Sequence, residues 1–434
     1  MPRQSSKKRF PDFVSLLFVC IVSGCALQPA PAGYKPWGTH LADDGRSNYS
    51  EGKFTPPVHL SWYVYLPSHD YFSPGERIEP SAPVMSKGTI YAAASEGKLY
   101  AFNASTSKLL WIYDAKYPVE ATPTVEEDAV CFGSSDGVLR CIGAKDGKLL
   151  WKFQARSSVL SSPVIKNDTV YFHASDDRVW ALALKTGEKK WVYNRGAYQT
   201  VAPRLTSSSA YGGIPPLGNG FLYTLFSDGF VACIDAGTGK EVWGKRVIAN
   251  FDSPSKTRRT PLVSADSVYL IDADNAVIAL DAATGETKKT YNVIKAYDFV
   301  LHDGRIPPFA RTVILAGQEM LVSVDAVTGA VVWKKELSKK PLSSIFAAGD
   351  FVFAVSNYVH NPLGMESLSS TKGYVEAFRL SNGEAAWSAE IDDSVGGNAA
   401  AEGNAIALMT NNGALSVLGS NGCFLCRKML PDNE

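Results

Sequence analysis

Seven cysteines and six histidines are the residues of this 434-residue chain best suited to redox or metal chemistry. Cys423 and Cys426 form the closest cysteine pair, with a CxxC spacing used by thiol redox centres and by covalent haem attachment. Arg427 follows where haem attachment requires histidine, and no thioredoxin-like context surrounds the pair. We therefore interpret Cys423 and Cys426 as a local disulfide or as plain tail cysteines.

Cys131 and Cys141 flank the turn of one predicted β-hairpin. If the strands pair with these residues face to face, they could form a cross-strand disulfide in an oxidising compartment. A register that differs by one residue would direct the two side chains to opposite faces of the sheet. We hypothesise that the disulfide forms, and the sequence leaves the register open.

The histidines and the turn aspartates lack the spacing of a metal or catalytic centre. No HxxxH or HExxH pattern occurs, so we interpret the histidines as surface or core polar residues. Asp136, Asp176 and Asp228 lie in predicted turns, where aspartate favours the turn itself. The sequence therefore predicts no catalytic residue, no metal site and no cofactor. The histidines are His40, His59, His69, His173, His302 and His360.

Acidic and basic residues are balanced, with 43 of each in the whole chain. Without residues 1–24 the chain carries 39 basic and 42 acidic residues. Binding to nucleic acid depends on clustered positive charge, so this composition gives no support to it. The 45% of hydrophobic residues is ample for a large core.

The first 25 residues follow the order of a bacterial lipoprotein signal. Lys7-Lys8-Arg9 precedes an apolar run over 13–22, which is too short for a spanning helix of about 20 residues. The run ends in Val22-Ser23-Gly24-Cys25, which resembles a lipobox. The alternative is an ordinary secretory signal with an incidental cysteine.

This order predicts a signal peptide over 1–24 and lipid attachment at Cys25. Ala26 after the cysteine favours the outer over the inner membrane, by resemblance to lipoprotein sorting rules. Residues 26–56 are rich in Pro, Gly, Asn and Ser, with little apolar periodicity. We therefore predict that 25–56 comprise the lipidated cysteine and a flexible tether.

A period of 40 residues organises the rest of the chain. Four short runs with period-two alternation occur in each unit, rich in β-branched and aromatic residues and separated by polar turns, which predicts strands. A period of this length is typical of repeat architectures. The residues that lie 40 apart are Pro83, Pro123, Pro163 and Pro203, and likewise Trp111, Trp151 and Trp191.

Seven copies of one short pattern mark the turn between the third and fourth runs. It has a small residue at position 1, Thr-Gly or Asp-Gly at positions 6 and 7, and tryptophan at position 11. Glycine provides the positive φ of a tight turn, and tryptophan provides a flat surface that can pack between units. The first copy has Ser107 for glycine, and the fifth has Lys289 for tryptophan, with Tyr291 as a candidate substitute. The predicted docking tryptophans are Trp62, Trp111, Trp151, Trp191, Trp243, Trp333 and Trp387.

This pattern resembles the tryptophan-docking motif of quinoprotein-type β-propeller repeats, over residues 58 to about 426. The resemblance implies an all-β fold, an eight-bladed propeller of four-stranded blades over 57–426, with a C-terminal tail over 427–434. We expect the strand at 59–64, with its tryptophan, to complete the last blade and join the two ends of the chain. Residues 423–427 are the competing candidate for that position.

Four long connections interrupt the period, at roughly 206–219, 246–259, 292–310 and 357–372. Loops on rigid scaffolds often carry function. The connection at 246–259 holds Lys256, Arg258 and Arg259, and Arg195-Gly196 opens the preceding interblade loop. The basic residues form either a solvated loop or a rim that binds a protein partner, since arginine is frequent at interface hot spots.

Signal, tether and propeller together resemble the barrel-assembly lipoprotein family (BamB) of Gram-negative outer membranes. The resemblance implies a non-enzymatic, lipid-anchored, periplasm-facing scaffold. It would be a monomer within a complex, where it binds periplasmic domains of the β-barrel insertase. Family members dock through a Leu/Arg-Gly stretch, which Arg195-Gly196 matches in part, and through a nearby acidic pair. This chain has Lys256-Thr257-Arg258-Arg259 where the acidic pair is expected.

Two other functions stay open. A diverged propeller lipoprotein could bind another envelope protein or a polymer. A quinone-dependent dehydrogenase would, by resemblance, require adjacent cysteines in a disulfide, an aspartate base and calcium ligands. The sequence contains no adjacent cysteine pair and no dense carboxylate cluster.

Overall fold

The computed structural model describes residues 37–43, 46–50, 54–66, 81–94, 96–195, 210–213, 220–248, 260–264, 266–302, 311–361, 369–420 and 427–428. All regular structure in these ranges is β-strand, arranged as eight sheets around one axis. The predicted eight-bladed propeller of four-stranded blades is confirmed. The described part of the chain contains no helical segment that could serve as a membrane span.

The first four blades follow one another along the chain, each with its innermost strand first. Blade 1 is β3 (Val84–Ser86), β4 (Thr89–Ala93), β5 (Lys98–Asn103) and β6 (Leu109–Asp114). Blade 2 is β7 (Thr124–Glu126), β8 (Ala129–Gly133), β9 (Val138–Gly143) and β10 (Leu149–Gln154). Blade 3 is β11 (Val164–Lys166), β12 (Thr169–His173), β13 (Arg178–Ala183) and β14 (Lys189–Asn194). Blade 4 is β15 (Ala210–Gly213), β16 (Gly220–Leu225), β17 (Phe230–Asp235) and β18 (Glu241–Arg246).

The next blades repeat this plan, and the last two recruit strands from the chain ends. Blade 5 is β19 (Leu262–Ser264), β20 (Ser267–Ile271), β21 (Val277–Asp281) and β22 (Thr287–Tyr291), and blade 6 is β23 (Asp298–His302), β24 (Thr312–Ala316), β25 (Met320–Asp325) and β26 (Val331–Glu336). Blade 7 is β27 (Leu342–Ala348), β28 (Phe351–His360), β29 (Ser370–Arg379) and β30 (Ala385–Ile391), with β1 (Tyr49–Ser50) inside it. Blade 8 is β31 (Val395–Glu402), β32 (Ala405–Thr410), β33 (Ala414–Gly419), β2 (His59–Tyr65) and β34 (Arg427–Lys428).

Blade 8 closes the ring with strands from both chain ends, as predicted. Its outer strand β2 pairs antiparallel with β33, from His59 opposite Gly419 to Tyr65 opposite Ala414. Arg427, the last residue of the competing segment 423–427, lies in β34, which pairs in parallel with the far side of β2. Residues 423–426 lie outside the described residues. The predicted C-terminal tail over 427–434 therefore contributes its first two residues to the blade.

Each blade presents its turns on two opposite rims of the ring. Successive strands are antiparallel, so the turn after the first strand and the turn after the third strand lie on one rim. In blade 2 these are residues 127–128 and 144–148, and we name this rim the turn face. The turn at 134–137 and the connection to blade 3 at 155–163 lie on the opposite rim, named the connection face.

A β-bulge recurs between the third and fourth strands of all eight blades. In blade 2 it lies between Leu149 and Trp151, and in blade 8 between Leu60 and Trp62. A bulge changes the direction of the side chains that follow it. Blade 5 keeps the bulge although Lys289 stands at its tryptophan position.

The core is divided into clusters between neighbouring blades. One cluster joins Cys131 and Trp151 of blade 2 to Phe172 and Leu182 of blade 3, all of them buried. Similar clusters join blades 4 and 5 and blades 5 and 6. Each sheet therefore buries both faces against its neighbours, which holds the ring rigid.

Residues 37–43 and 46–50, named the axial segment, lie at the centre of the ring. Strand β1 pairs in parallel with β27, the innermost strand of blade 7. Trp37, Leu41, Arg46 and Asn48 are each at most 1% exposed. The prediction of a flexible tether over 25–56 is therefore wrong for the axial segment, while 25–36 lie outside the described residues.

One predicted long connection is mostly strand. Strands β28 and β29 pair as far as His360 opposite Ser370, so much of 357–372 is a hairpin that extends from the connection face. Val359 near its end is 68% exposed. The predicted connections at 206–219, 246–259 and 292–310 include long stretches outside the described residues.

Candidate functional site

Arg195 follows β14 at the connection face and reaches across to blade 4. Its Nε donates to Oδ2 of Asp228 at 3.0 Å, and its Nη1 donates to Oε2 of Glu241 at 3.3 Å. The guanidinium lies over the ring of Phe230, with Cζ 4.0 Å from the ring centroid. Arg246 lies over the same ring at 5.1 Å. We name these five residues the Arg195 patch.

Charges inside the Arg195 patch compensate one another. Burial acts to lower the pKa of Arg195, but its contact with Asp228 outweighs this effect and raises the pKa above its ordinary value. Burial and a hydrogen bond to Glu241 raise the pKa of Tyr193 to about 12. Arg195 is thus held by its own chain, and a partner at this rim would contact the assembled patch rather than a free arginine.

Only part of the predicted partner-binding set can be placed. Gly196, Lys256, Arg258 and Arg259 lie outside the described residues. Ile248 and Thr260, on either side of the 249–259 gap, are buried. The structure therefore supports a patch at the blade 3–4 boundary without relating it to the basic cluster.

Six of the seven predicted docking tryptophans contact the following blade through one repeated hydrogen bond. The indole Nε1 donates to the main-chain oxygen three residues after position 1 of the next copy. The distances are 2.9 Å from Trp62 to Ala104, 2.9 Å from Trp111 to Ala144, 2.6 Å from Trp151 to Leu184, 3.0 Å from Trp191 to Ala236, 2.9 Å from Trp243 to Ala282 and 2.8 Å from Trp333 to Leu380. Trp387 packs at the edge of the cluster that joins blades 7, 8 and 1.

Five of the docked indoles cover the turn glycine of the next copy. Gly187 has φ +71°, and a Cβ atom there would lie 2.6 Å from the Trp151 ring. Glycine is therefore needed at this position for two reasons: the backbone is left-handed, and a side chain would block the approach of the indole ring. In the first copy, Ser107 adopts the same left-handed conformation, with φ 58°.

Two residues replace the missing tryptophan of blade 5. Nζ of Lys289 donates to the oxygen of Val327 at 2.8 Å, and its side chain lies over Gly329. The Tyr291 hydroxyl donates at 2.6 Å to the oxygen of Ala326, the acceptor equivalent to Leu184. Lys289 thus covers the turn while Tyr291 makes the interblade hydrogen bond.

Cys131 on β8 and Cys141 on β9 lie directly opposite each other. Their Sγ atoms are bonded, and their Cα atoms are 4.1 Å apart. In blades 1, 3 and 4 a tyrosine takes the position of Cys131, and its hydroxyl donates to the same carbonyl as the docked tryptophan. These tyrosines are Tyr91, Tyr171 and Tyr223, at 3.4, 3.2 and 3.4 Å. Blade 2 therefore has a bond within its own sheet where its neighbours bond to the next blade.

The remaining cysteines provide no reactive site in the described ranges. Burial raises the pKa of the Cys233 thiol to about 12, which keeps it protonated and unreactive. Cys423 and Cys426 lie outside the described residues.

A buried polar cluster that the sequence did not indicate joins blades 3 and 4. Asp177 accepts hydrogen bonds from the amide and the hydroxyl of Ser227 and lies 3.4 Å from Nε2 of His173. Burial acts to raise the pKa of Asp177, but the contacts with His173 and Ser227 outweigh it and lower the pKa. In a catalytic triad the serine hydroxyl donates a hydrogen bond to the histidine, whereas the hydroxyl of Ser227 donates to Asp177. The cluster is therefore an interblade contact.

The centre of the ring does not fit a quinone group. The axial segment fills it, with Trp37 packed edge-on against Phe346. Within the described ranges, no group of three or more His, Cys, Asp or Glu side chains is arranged to hold a metal ion. The bonded cysteines are ten residues apart rather than adjacent.

The repeated blades, the docked tryptophans and the closure by both termini define an eight-bladed propeller of PQQ-like repeats. A family profile described as outer membrane protein assembly factor BamB matches residues 62–140, 131–214, 204–295 and 300–425. The chain belongs to this family. No curated protein matches the sequence at a significant level.

Solved structures with the same fold include an assembly factor and dehydrogenases. BamB from Moraxella catarrhalis has a TM-score of 0.62 at 17% identity, covering 84% of this chain and 100% of that chain. Quinohemoprotein alcohol dehydrogenase from Comamonas testosteroni has a TM-score of 0.68 at 13% identity, covering 91% of this chain and 82% of that chain. A europium-containing methanol dehydrogenase has a TM-score of 0.62 at 13% identity, over 87% of this chain and 88% of that chain. At these identities the similarity concerns the fold alone.

Proposed function

We propose that this protein is a non-enzymatic scaffold of the outer membrane. In this proposal, a lipid on Cys25 holds it on the periplasmic side, where it binds periplasmic domains of the β-barrel insertase as one subunit of a complex. The observation that carries the proposal is the filled centre of the ring. With the axial segment in that position, the chain acts through its outer surfaces.

The connection face is the surface we assign to the partner. It carries the Arg195 patch and the exposed end of the β28–β29 hairpin. Stacked arginine and aromatic side chains are enriched at the centre of protein interfaces. Because the ion pairs hold Arg195 in place, little side-chain entropy remains to be lost when a partner binds.

A crosslinked pulldown of the lipidated protein from intact cells tests the partner. Recovery of the insertase supports the proposal, and recovery of other envelope components without it would contradict it. Arg195→Ala and Arg246→Glu should each reduce the recovered insertase. Arg379→Glu is the matched control, because this arginine stacks on Phe351 at the end of blade 7 and lies outside the patch. Melting temperatures of all three variants separate a lost interface from a lost fold.

A second candidate is a diverged scaffold that binds another envelope protein or polymer. Two observations favour it. Basic residues replace the acidic pair expected from the family pattern, and Arg195 is engaged by Asp228 and Glu241 of its own chain. In the same pulldown, this candidate predicts a different set of crosslinked partners.

The anchor has its own test. Cys25→Ser should release the protein into the soluble periplasm with its melting temperature unchanged, because Cys25 precedes the axial segment. Retention of the variant in the membrane fraction would refute lipid attachment at this residue.

The non-enzymatic part of the proposal is tested with pyrroloquinoline quinone, calcium and an alcohol substrate. We expect no saturable quinone binding and no reduction of an electron-accepting dye. Dye reduction that depends on both additions would favour the dehydrogenase instead.

A further inference from the structure

Both ends of the axial segment, Trp37 and Ser50, lie nearer to the turn face than its middle does. Met85 donates its amide to the oxygen of Trp37 at 2.8 Å, and Val125 donates to the oxygen of Gly38 at 2.6 Å. Thr39 then contacts Thr124, one residue earlier on β7. From Gly38 to Thr39 the segment therefore moves away from the turn face, and Trp37 is nearer to that face than Thr39 is.

The middle of the axial segment reaches the opposite end of the inner strands. Arg46 Nη2 donates to the oxygens of Ser162 and Pro163, at 3.3 and 3.0 Å, just before β11 begins. From there the chain returns along β27, and Gly349 donates its amide to the oxygen of Ser50 at 3.1 Å, at the turn that ends this strand. The axial segment is thus a loop inserted from the turn face.

Contacts on several sides hold this loop in place. Asn48 bonds to Ile345 of blade 7, and Leu301 of blade 6 donates its amide to Ser47. Left-handed backbone occurs at four non-glycine residues, which costs energy and persists only where the surroundings impose it. These residues are Leu41, Ala42, Arg46 and Asn48, with φ of 57°, 76°, 61° and 59°. The inner strands of blades 1, 2, 6 and 7, and the residues just before the inner strand of blade 3, all bond to the loop, so its position is fixed relative to the ring.

We propose that this loop orients the ring on the membrane, with the turn face towards the lipid surface and the connection face towards the periplasm. The inference rests on the proposed lipid attachment at Cys25. Eleven residues, 26–36, separate that cysteine from Trp37. Twelve steps of chain extend at most about 42 Å and typically span about 19 Å if flexible.

A tether of this length makes it difficult for the ring to turn over on the membrane. A tether that leaves at the centre of the turn face would have to pass the outer strand, roughly 15 Å beyond the innermost one at 4.8 Å spacing. It would then have to follow the side of the ring for about 20 Å, the length of a six-residue strand. That path uses nearly the whole extended length, so the inverted arrangement is strongly disfavoured. The Arg195 patch and the β28–β29 hairpin are consequently presented away from the bilayer.

Energy transfer to labelled lipid tests the orientation. The full lipidated protein is reconstituted into vesicles of phosphatidylethanolamine and phosphatidylglycerol that carry an acceptor dye on a lipid headgroup. A fluorescent non-natural residue is placed either at Lys145, in the 144–148 turn, or at Lys116, exposed in the connection after β6. Because six-residue strands separate the two faces by about 20 Å, transfer from Lys145 should exceed transfer from Lys116 by about twofold or more.

A lengthened tether is the control that does not alter the folded ring. Forty Gly/Ser residues inserted between Gly33 and Tyr34 should leave vesicle binding intact and abolish the difference between the two labels. Persistence of the difference in this variant would mean that another surface sets the orientation, which overturns the inference. Equal or reversed energy transfer in vesicle-bound protein would also overturn the proposed orientation, but it would not contradict lipid attachment at Cys25. Failure of the protein to bind vesicles would overturn both the orientation and the lipid attachment.

Discussion

Blades 2 and 5 meet their following neighbours through the same bulge and the same turn, but with different side chains. Trp151 of blade 2 both covers Gly187 and donates to the Leu184 oxygen. In blade 5, Lys289 covers the turn, and Tyr291 donates to the equivalent oxygen. Both junctions therefore have a covering side chain and a hydrogen-bond donor, which are provided by one residue in blade 2 and by two residues in blade 5.

The two solutions differ in stiffness. The indole is rigid, so the ring surface that covers the turn and the Nε1 donor cannot move independently. In blade 5 the covering lysine side chain is flexible, and only the tyrosine ring that carries the donor is rigid. Trp151 is 8% exposed and Tyr291 is 2% exposed, so both junctions are sealed from water. We expect mutations to separate the two functions at blade 5 and to remove them together at blade 2.

Trp151→Ala should have the largest effect. Loss of a buried large aromatic side chain typically costs about 3–5 kcal/mol of the free energy of unfolding, because a cavity and an unpaired carbonyl remain. Lys289→Ala should cost about 1 kcal/mol or less, since the Tyr291 hydrogen bond stays. Urea unfolding measures both, with Leu150→Ala as an exposed control. A cost below about 1 kcal/mol for Trp151→Ala would show that the tryptophans are not interblade wedges.

Gly187→Ala and Gly329→Ala test the difference in stiffness directly. Both glycines have positive φ, +71° and +77°, so both variants lose about 1–2 kcal/mol to backbone strain. At Gly187 the new methyl also meets the rigid Trp151 ring, which adds about 1–3 kcal/mol as in other overpacked sites. At Gly329 it meets the mobile end of Lys289. Equal losses in unfolding experiments would contradict the comparison.

Tyr291→Phe should cost about 1 kcal/mol, because the Ala326 oxygen loses the hydrogen bond from this tyrosine. Tyr171→Phe is the matched control. The Ala236 oxygen also accepts from Trp191, so that acceptor stays paired. Thermal unfolding of the two variants should show a clearly larger shift for Tyr291→Phe, and the reverse order would argue against its role as the substitute donor.

Ser107→Gly should have the smallest effect and the opposite sign. Ser107 holds φ 58° at the turn that follows docked Trp62, where the other six copies have glycine. Removing the left-handed strain, less the extra entropy of glycine in the unfolded chain, should stabilise the protein by about 0.5–1 kcal/mol. A lower melting temperature would mean that the serine side chain makes a contact that outweighs the strain.

The sequence predicted the features that repeat. The 40-residue period indicated the blades, the tryptophan of β2 indicated the closing strand, and Tyr291 was recognised as a candidate substitute for tryptophan. Each of these is a local pattern, because strand alternation and turn residues are determined within a few positions.

Features made by residues far apart in the chain could not be predicted. The axial segment has the composition of a linker, and its burial depends on contacts such as that of Arg46 with Ser162, 116 residues away. The Asp177–Ser227 hydrogen bond spans 50 residues and joins two blades. The ends of β28 and β29 fall within a predicted loop, because their polar residues continue the pairing without apolar alternation. The partners of Arg195 belong to the same group of long-range contacts.

Closure of the ring by β2 also determines the order in which its strands can assemble. His59 pairs with Gly419, so one of the first strands to be synthesised must wait for one of the last before it can pair. Pairing between strands so far apart in the sequence is slow. The entropy of the long intervening chain is lost before the contacts between the two strands stabilise the fold. Until then the third strand of blade 8 has a free edge, which is open to pairing with other chains. The newly synthesised protein is therefore most vulnerable to aggregation just before its synthesis is complete, and it becomes resistant once its two ends have paired.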